Sequence, residues 1–265
     1  MKINEKKINL ILILSAFCTL VFALIIIGSF IIILKTNILK SVNKKLGISK
    51  KYAEEKVVEI DKKWSEKLLS GGYILHFRHA ERDKWIDVQM YDALESDVHD
   101  NGINKSRMAE NDYFGDAVCL NGRGLIQAKA MGELLKWINL PIGFVISSPS
   151  CRARQTADFA FDGYDQLNRI LVHEGPYLEK KHDRINKLKD FYLKLPIEKN
   201  KNTIVSSHNS VIKKEIFDEV NLSEVDKRFK LEEGGFYIIS NDNNRLVLEY
   251  KFHNFKNFTK NFFPR

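Results

Sequence analysis

The chain opens on an unbroken apolar run. From Ile8 to Leu34 there is no charged residue, and Ile, Leu, Phe and Val dominate. A bilayer core is crossed by about 20 apolar residues in a helix, so the run predicts a spanning segment with length to spare for tilt. A secretory signal peptide is the competing reading, but its apolar region is about 7–15 residues and ends at a small-residue cleavage site. This run ends in Leu34-Lys35-Thr36-Asn37, which offers no such site. A helix buried in a soluble core is the other alternative, and no further segment is apolar enough to surround it. Residues 1–35 are therefore read as an uncleaved, single-pass membrane anchor. Lys2, Lys6 and Lys7 on one side balance Lys35, Lys40, Lys44 and Lys45 on the other, so the positive-inside rule assigns no orientation.

The period then changes. Val42, Leu46, Tyr52, Val57, Ile60, Trp64 and Leu68 recur at spacings near three and four, with Lys and Glu between them. That is an amphipathic helical pattern. It makes 36–70 a helical linker, read first as a solvated stalk, with self-association through residues 40–69 as an alternative that would give a homo-oligomer. Gly71-Gly72 marks a boundary.

Beyond it, short apolar runs alternate with helical periods. Tyr73 to Phe77 reads as a strand. Leu125, Ala128, Met131, Leu134, Leu135 and Ile138 mark a helix closed by Pro141. Phe144 to Ser147 is the second strand, Ile170 to Val172 the third and Thr203 to Ser206 the fourth. Helices are expected after Pro149, from His182 to Leu195, and over Val211, Ile212, Ile216 and Phe217. Phe236–Ile239 and Leu246–Tyr250 form two final strands around Asn241-Asp242-Asn243-Asn244. Such alternation implies an α/β fold, a mostly parallel sheet with helices on both faces in three layers, over 71–265. Residues 83–117 break the pattern: they carry many Asp and Asn residues and scattered aromatics, with no sustained period. A segment this long exceeds an ordinary strand-to-helix link of about 2–6 residues. It is read as a lid or substrate loop, with Lys84, Lys105 and Arg107 available to an anionic group; an insertion without catalytic part is the alternative.

Composition narrows the class. Charged residues at 29% and hydrophobic residues at 44% describe a globular chain. A net charge of +8 admits nucleic acid, an anionic membrane or a phosphorylated substrate as partner. No nucleic-acid motif is present, and the lysines are spread widely, so nucleic acid is set aside. Cys18, Cys119 and Cys151 show no metal-ligand spacing; Cys119 and Cys151 either pair in an oxidising compartment or stay reduced.

The chemistry gathers where strands end. The first strand stops at Arg78-His79, the second leads through Ser147 to Arg152, and the fourth ends at Ser207-His208. In a parallel sheet these ends share one edge, where α/β proteins bind ligands. Arg suits bidentate phosphate binding, and neutral His is a nucleophile available near neutral pH. Two arginines and two histidines facing one pocket make a phosphate cradle with a nucleophile inside.

These motifs resemble the histidine phosphatase superfamily, the phosphoglycerate-mutase-like group. Its Arg-His-Gly/Ala-Glu opening is matched by Arg78-His79-Ala80-Glu81, and its Arg-Ala-x-Gln-Thr-Ala by Arg152-Ala153-Arg154-Gln155-Thr156-Ala157. Ser207-His208-Asn209 matches Ser-His-Gly with Asn in place of Gly, and Leu120 to Gly124 with Gln127-Ala128 is similar to the family's Leu-Thr-x-x-Gly…Gln-Ala segment. The resemblance implies His79 as the nucleophile that becomes phosphohistidine, with Arg78, Arg152 and His208 on the phosphoryl oxygens. It implies a Glu as general acid: Glu179 in Tyr177-Leu178-Glu179, with Glu174 as rival. Glu81, Arg82 and Asn209 complete the expected substrate shell; Arg82 stands where the family usually has a small hydroxyl residue. No metal or cofactor is implied. The expected activity is a membrane-anchored phosphomonoester hydrolase, acting on envelope sugar phosphates or another glycan or small phosphorylated molecule. A phosphomutase and an inactive phospho-ligand receptor are the alternatives.

Overall fold

Successive residues of the first strand point to opposite faces of a sheet, and here both faces are covered. In β1 (Ile74–Arg78), Leu75 and Phe77 enter one apolar cluster, whereas Ile74 enters another. The computed structural model describes residues 55–83, 91, 92, 94, 96, 97, 112–172, 181–222 and 229–263. The expected anchor over Ile8–Leu34 lies outside them. Among the described residues no helix is long and apolar enough to cross a membrane.

Residues 55–68 are helical (α1). The remaining elements are α2 (Asp112–Val118), α3 (Gly122–Trp137), β2 (Ile142–Ser147), α4 (Cys151–Ala160), β3 (Gln166–Leu167), α5 (Lys181–Leu193), β4 (Asn202–Ser207), β5 (Glu219–Val220), β6 (Phe236–Asp242), β7 (Arg245–Phe252) and α6 (Phe255–Thr259). The sheet order is β3-β2-β4-β1-β6-β7-β5. β1 pairs parallel with β4, β4 with β2, and β2 with β3, while β6 runs antiparallel to both neighbours. The sheet is therefore mixed but mostly parallel. α1, α3, α4 and α6 supply Leu68, Met131, Ala157 and Phe258 to the core on one face. Leu188 and Tyr192 of α5 supply the other.

The sequence places the domain boundary at Gly71-Gly72, but the compact unit begins at Ile60. The reason is the face of α1 that follows. Trp64 stacks on Tyr250 with ring centroids 6.0 Å apart, and Leu68 is buried. Asp61 accepts the Tyr250 hydroxyl at 2.8 Å and pairs with Lys260 at 2.9 Å. These turns of α1 are part of the domain and not a solvated stalk.

Two further elements differ from expectation. Ile170-Leu171-Val172 is not a strand: Arg169–Leu171 forms a 3-10 turn, capped by Asn168, whose side chain accepts the Ile170 N–H at 3.0 Å. The edge strand is the short β3 just before it. The helix expected over Val211 to Phe217 is only the 3-10 turn Lys214–Ile216, although Val211, Ile212 and Ile216 are buried as their spacing required. The hairpin between β6 and β7 turns at Asn243 and Asn244, with φ of 51° and 62°. Asn is among the few residues that adopt this left-handed region readily.

Candidate active site

The carboxyl ends of β1, β4 and β2 are laced together one residue beyond the ladder. The His79 N–H donates to the Ser207 carbonyl at 2.9 Å, and the Ser148 N–H to the Ser206 carbonyl at 2.9 Å. His79 and His208 are thereby brought side by side, ring centroids 5.3 Å apart. Arg152 follows from the first turn of α4, buried.

His79 is buried, and its Nδ1 lies 2.7 Å from the Ala80 carbonyl. A carbonyl only accepts, so Nδ1 carries the proton and Nε2 keeps its lone pair. Burial, then the charges of Arg152 and Arg78, hold the imidazolium form well below the usual histidine range. The ring is neutral at neutral pH, the state a nucleophile needs.

Arg78 donates to the Leu231 carbonyl and to Glu233, each at 2.6 Å. The Asn209 side chain accepts the Leu231 N–H, so Asn209 steadies the loop that holds Arg78. Arg152 meets a carboxylate as well: its terminal nitrogens lie 2.9 and 3.1 Å from the two oxygens of Asp92. Nη2 of Arg152 also lies 3.2 Å from Nδ1 of His208, whose Nε2 is 3.1 Å from the Ser148 hydroxyl. Arg82 is half-buried, and burial followed by the charge of Arg152 lowers its pKa from the ordinary arginine value. It stands close enough to Arg78, Arg152 and His79 to be felt by each, so three guanidinium groups border His79. Glu81 pairs with Arg123 at 2.5 Å. Glu174 and Glu179 lie outside the described residues, as does most of 83–117.

The motif residues between these groups act as braces. Thr156 accepts the Ala80 N–H at 2.9 Å, and Gln155 accepts the Leu120 N–H at 2.8 Å. Gln127 accepts the Glu81 N–H at 2.9 Å and donates to the Glu233 carbonyl at 2.9 Å. Asn121 caps α3 by accepting from Gly124 at 2.8 Å. Sequence reasoning missed Asp92 and Glu233, the carboxylates that pair with Arg152 and Arg78. It left Cys119 and Cys151 open; they form a disulfide.

Behind His208 lies a second buried pair. His76 Nε2 is 3.1 Å from the His208 carbonyl, and its Nδ1 is 2.6 Å from the Tyr192 hydroxyl. The carbonyl takes the Nε2 proton, so Nδ1 accepts from Tyr192. Burial lowers the His76 pKa to about 4.

Residues 112–175 match the model of the histidine phosphatase superfamily (branch 1). No curated protein matches the chain. Among solved structures, the protein histidine phosphatase SixA complexed with tungstate aligns at 14% identity over 68% of this chain and 95% of its own, TM-score 0.42. A putative alpha-ribazole-5'-P phosphatase from Escherichia coli aligns at 14% identity over 66% and 94%, TM-score 0.42. A phosphoserine phosphatase mutant from Entamoeba histolytica in complex with phosphoserine aligns at 15% identity over 71% and 98%, TM-score 0.39.

Proposed function

We propose that this chain is a histidine phosphatase that hydrolyses phosphomonoesters through a phosphohistidine on His79. The observation that carries the reading is the state of His79: buried, neutral, its Nδ1 proton committed to Ala80, and bordered by arginines. Nε2 attacks phosphorus in line as the ester P–O bond breaks. Arg78 and Arg152 stabilise the charge on the non-bridging oxygens. The leaving alkoxide needs a proton, and Glu179, with Glu174 as its rival, is proposed as the donor. Water then attacks the phosphohistidine as it gives a proton back to that carboxylate; the N–P bond breaks, phosphate leaves, and His79 is again neutral. No metal takes part in this scheme.

The substrate is proposed to be a sugar phosphate or related small phosphomonoester of the cell envelope. Arg82, half-buried beside the cradle, supports a substrate with negative charge next to its phosphoryl group. The apolar run Ile8–Leu34 supports tethering of the enzyme to a membrane. Mass spectrometry finding a mature terminus near residue 35, or full recovery in the soluble fraction, would remove the tether.

The test of the activity uses the full chain in detergent with p-nitrophenyl phosphate and a panel of sugar phosphates. A rapid quench in alkaline detergent with phosphorus-labelled substrate should trap label on His79, because the N–P bond of phosphohistidine survives alkali and is cleaved by acid. Absence of turnover across the panel and of labelled protein would reject the reading.

A further inference from the structure

A guanidinium has five N–H donors and no acceptor, so the partners of Arg152 can be counted off. Nη1 donates to Asp92 Oδ1 at 2.9 Å and to the Val118 carbonyl at 3.3 Å. Nη2 donates to Asp92 Oδ2 at 3.1 Å and to His208 Nδ1 at 3.2 Å. Four donors are used. The fifth, Nε–H, is buried and has no partner among the described residues. A buried donor left without an acceptor costs free energy, and its presence beside a neutral nucleophile marks a place for a ligand oxygen.

Asp92 decides which donor is left over. It comes from the 83–117 stretch, is itself fully buried, and also accepts the Ser150 hydroxyl at 2.6 Å. Bidentate pairing fixes the plane of the guanidinium as well as its position. It also offsets the charge of Arg152 next to Arg78 and Arg82, which would otherwise repel it. The same pairing sets His208: because Arg152 can only donate to Nδ1, the neutral ring carries its proton on Nε2, toward Ser148.

We propose that Asp92 is a positioning residue of the phosphoryl site: it holds both terminal nitrogens of Arg152 so that the remaining Nε–H is presented to a phosphoryl oxygen. The inference rests on the phosphatase reading of the same site. It gives the inserted stretch a part in the chemistry of every substrate, small or large, and not only in choosing among them.

The experiment measures kcat and KM for p-nitrophenyl phosphate, and inhibition by inorganic phosphate, with the full chain. The variants are Asp92→Asn, Asp92→Glu, Arg152→Gln and the double variant Asp92→Asn with Arg152→Gln. Misplacing a catalytic contact by an ångström costs up to about 100-fold. Asp92→Asn should lower kcat/KM about 10- to 100-fold and weaken phosphate inhibition, and Asp92→Glu should recover part of the loss. The double variant should match Arg152→Gln alone within about twofold, because Asp92 acts through Arg152. An unchanged kcat/KM in Asp92→Asn would overturn the proposal, as would additive losses in the double variant. Tighter phosphate inhibition with faster turnover would also overturn it, since Asp92 would then be an internal competitor for the cradle. Should Asp92→Asn fail to fold, Asp92→Glu decides: reduced kcat/KM at an unchanged melting temperature supports the assignment, and wild-type kinetics rejects it. A wild-type protein without turnover sinks the phosphatase reading, whereas an active wild type with an indifferent Asp92 sinks only this inference.

Discussion

The hydroxyl of Thr156 joins Ala80 to Arg152: it accepts the Ala80 N–H at 2.9 Å and donates to the Arg152 carbonyl at 2.8 Å. One buried oxygen thus sets the distance between the turn after His79 and the helix that carries Arg152. Thr156→Val keeps the shape and strands the Ala80 N–H, at a cost of about 1–3 kcal/mol, while the Arg152 carbonyl keeps its helical backbone partner. Denaturant unfolding should show that loss, and kcat should fall with it. Thr156→Ser should retain both. Equal stability of the Val and Ser variants would show that the hydroxyl does not bridge them.

His79→Ala should reduce turnover to background and leave no acid-stable or base-stable label on the protein, while near-ultraviolet circular dichroism stays that of wild type. Labelled phosphate appearing on the folded variant would assign the nucleophile elsewhere.

His76 predicts acid sensitivity. Its folded pKa of about 4 lies below the ordinary 6.5, so the unfolded chain binds the proton first as pH falls. The stabilisation is complete above about pH 6.5 and is lost on the way down to about 4. A shift of that size corresponds to roughly 3 kcal/mol. His79 shifts in the same direction and adds to the loss. Urea midpoints should therefore decline below neutrality, and less steeply in the double variant His76→Phe with Tyr192→Phe. Parallel slopes for variant and wild type would clear His76 of any part in the decline.

Reduction should weaken the domain and the site together. The Cys119–Cys151 bond closes a separation of 32 residues, for which the chain-entropy estimate is about 3–4 kcal/mol. Its two ends adjoin Val118 and Arg152, which are hydrogen-bonded to each other. Dithiothreitol should lower the melting temperature and kcat/KM in parallel, and Cys119→Ser with Cys151→Ser should copy the effect without reductant. Titration of the denatured, unreduced chain should find the thiol of Cys18 alone; three free thiols would refute the pairing.

Two glycines of one helix start should respond in opposite ways. A Cβ on Gly124 would strike the Glu81 carbonyl, whereas on Gly122 it would meet nothing within 4 Å. Gly124→Ala should destabilise by about 1–3 kcal/mol through overpacking and lower kcat by moving the turn after His79. Gly122→Ala should be neutral or slightly stabilising. Matched melting curves for the two would mean that α3 does not press on that turn.

The sequence made β1, β2 and β4 readable because strands buried on both faces leave short, near-continuous apolar runs. Ile170-Leu171-Val172 carries the same signal and misleads, because burial alone writes that pattern and a capped 3-10 turn buries Leu171 and Val172 equally well. That Arg78, His79, Arg152 and His208 come together was legible because each follows the end of a strand on one sheet edge. Asp92 and Glu233 were not. Their partners are distant in sequence, and a carboxylate in an aperiodic segment looks the same whether it meets solvent or an arginine.

The place of β1 in the sheet orders events in time. Ile74 pairs with Thr203 on one side and with Ile239 on the other, both far along the chain. Contacts so distant in sequence are late to form, since a long loop must close first. A nascent chain emerging amino terminus first presents His79 early and can hold it only after β4 and β6 have been made. Synthesis stopped before Phe236 would leave a chain carrying both signature motifs and Ser207-His208 with one flank of its central strand unpaired. Catalytic competence should thus appear abruptly, near the end of translation, and an exposed strand edge until then makes the unfinished chain a client for chaperones.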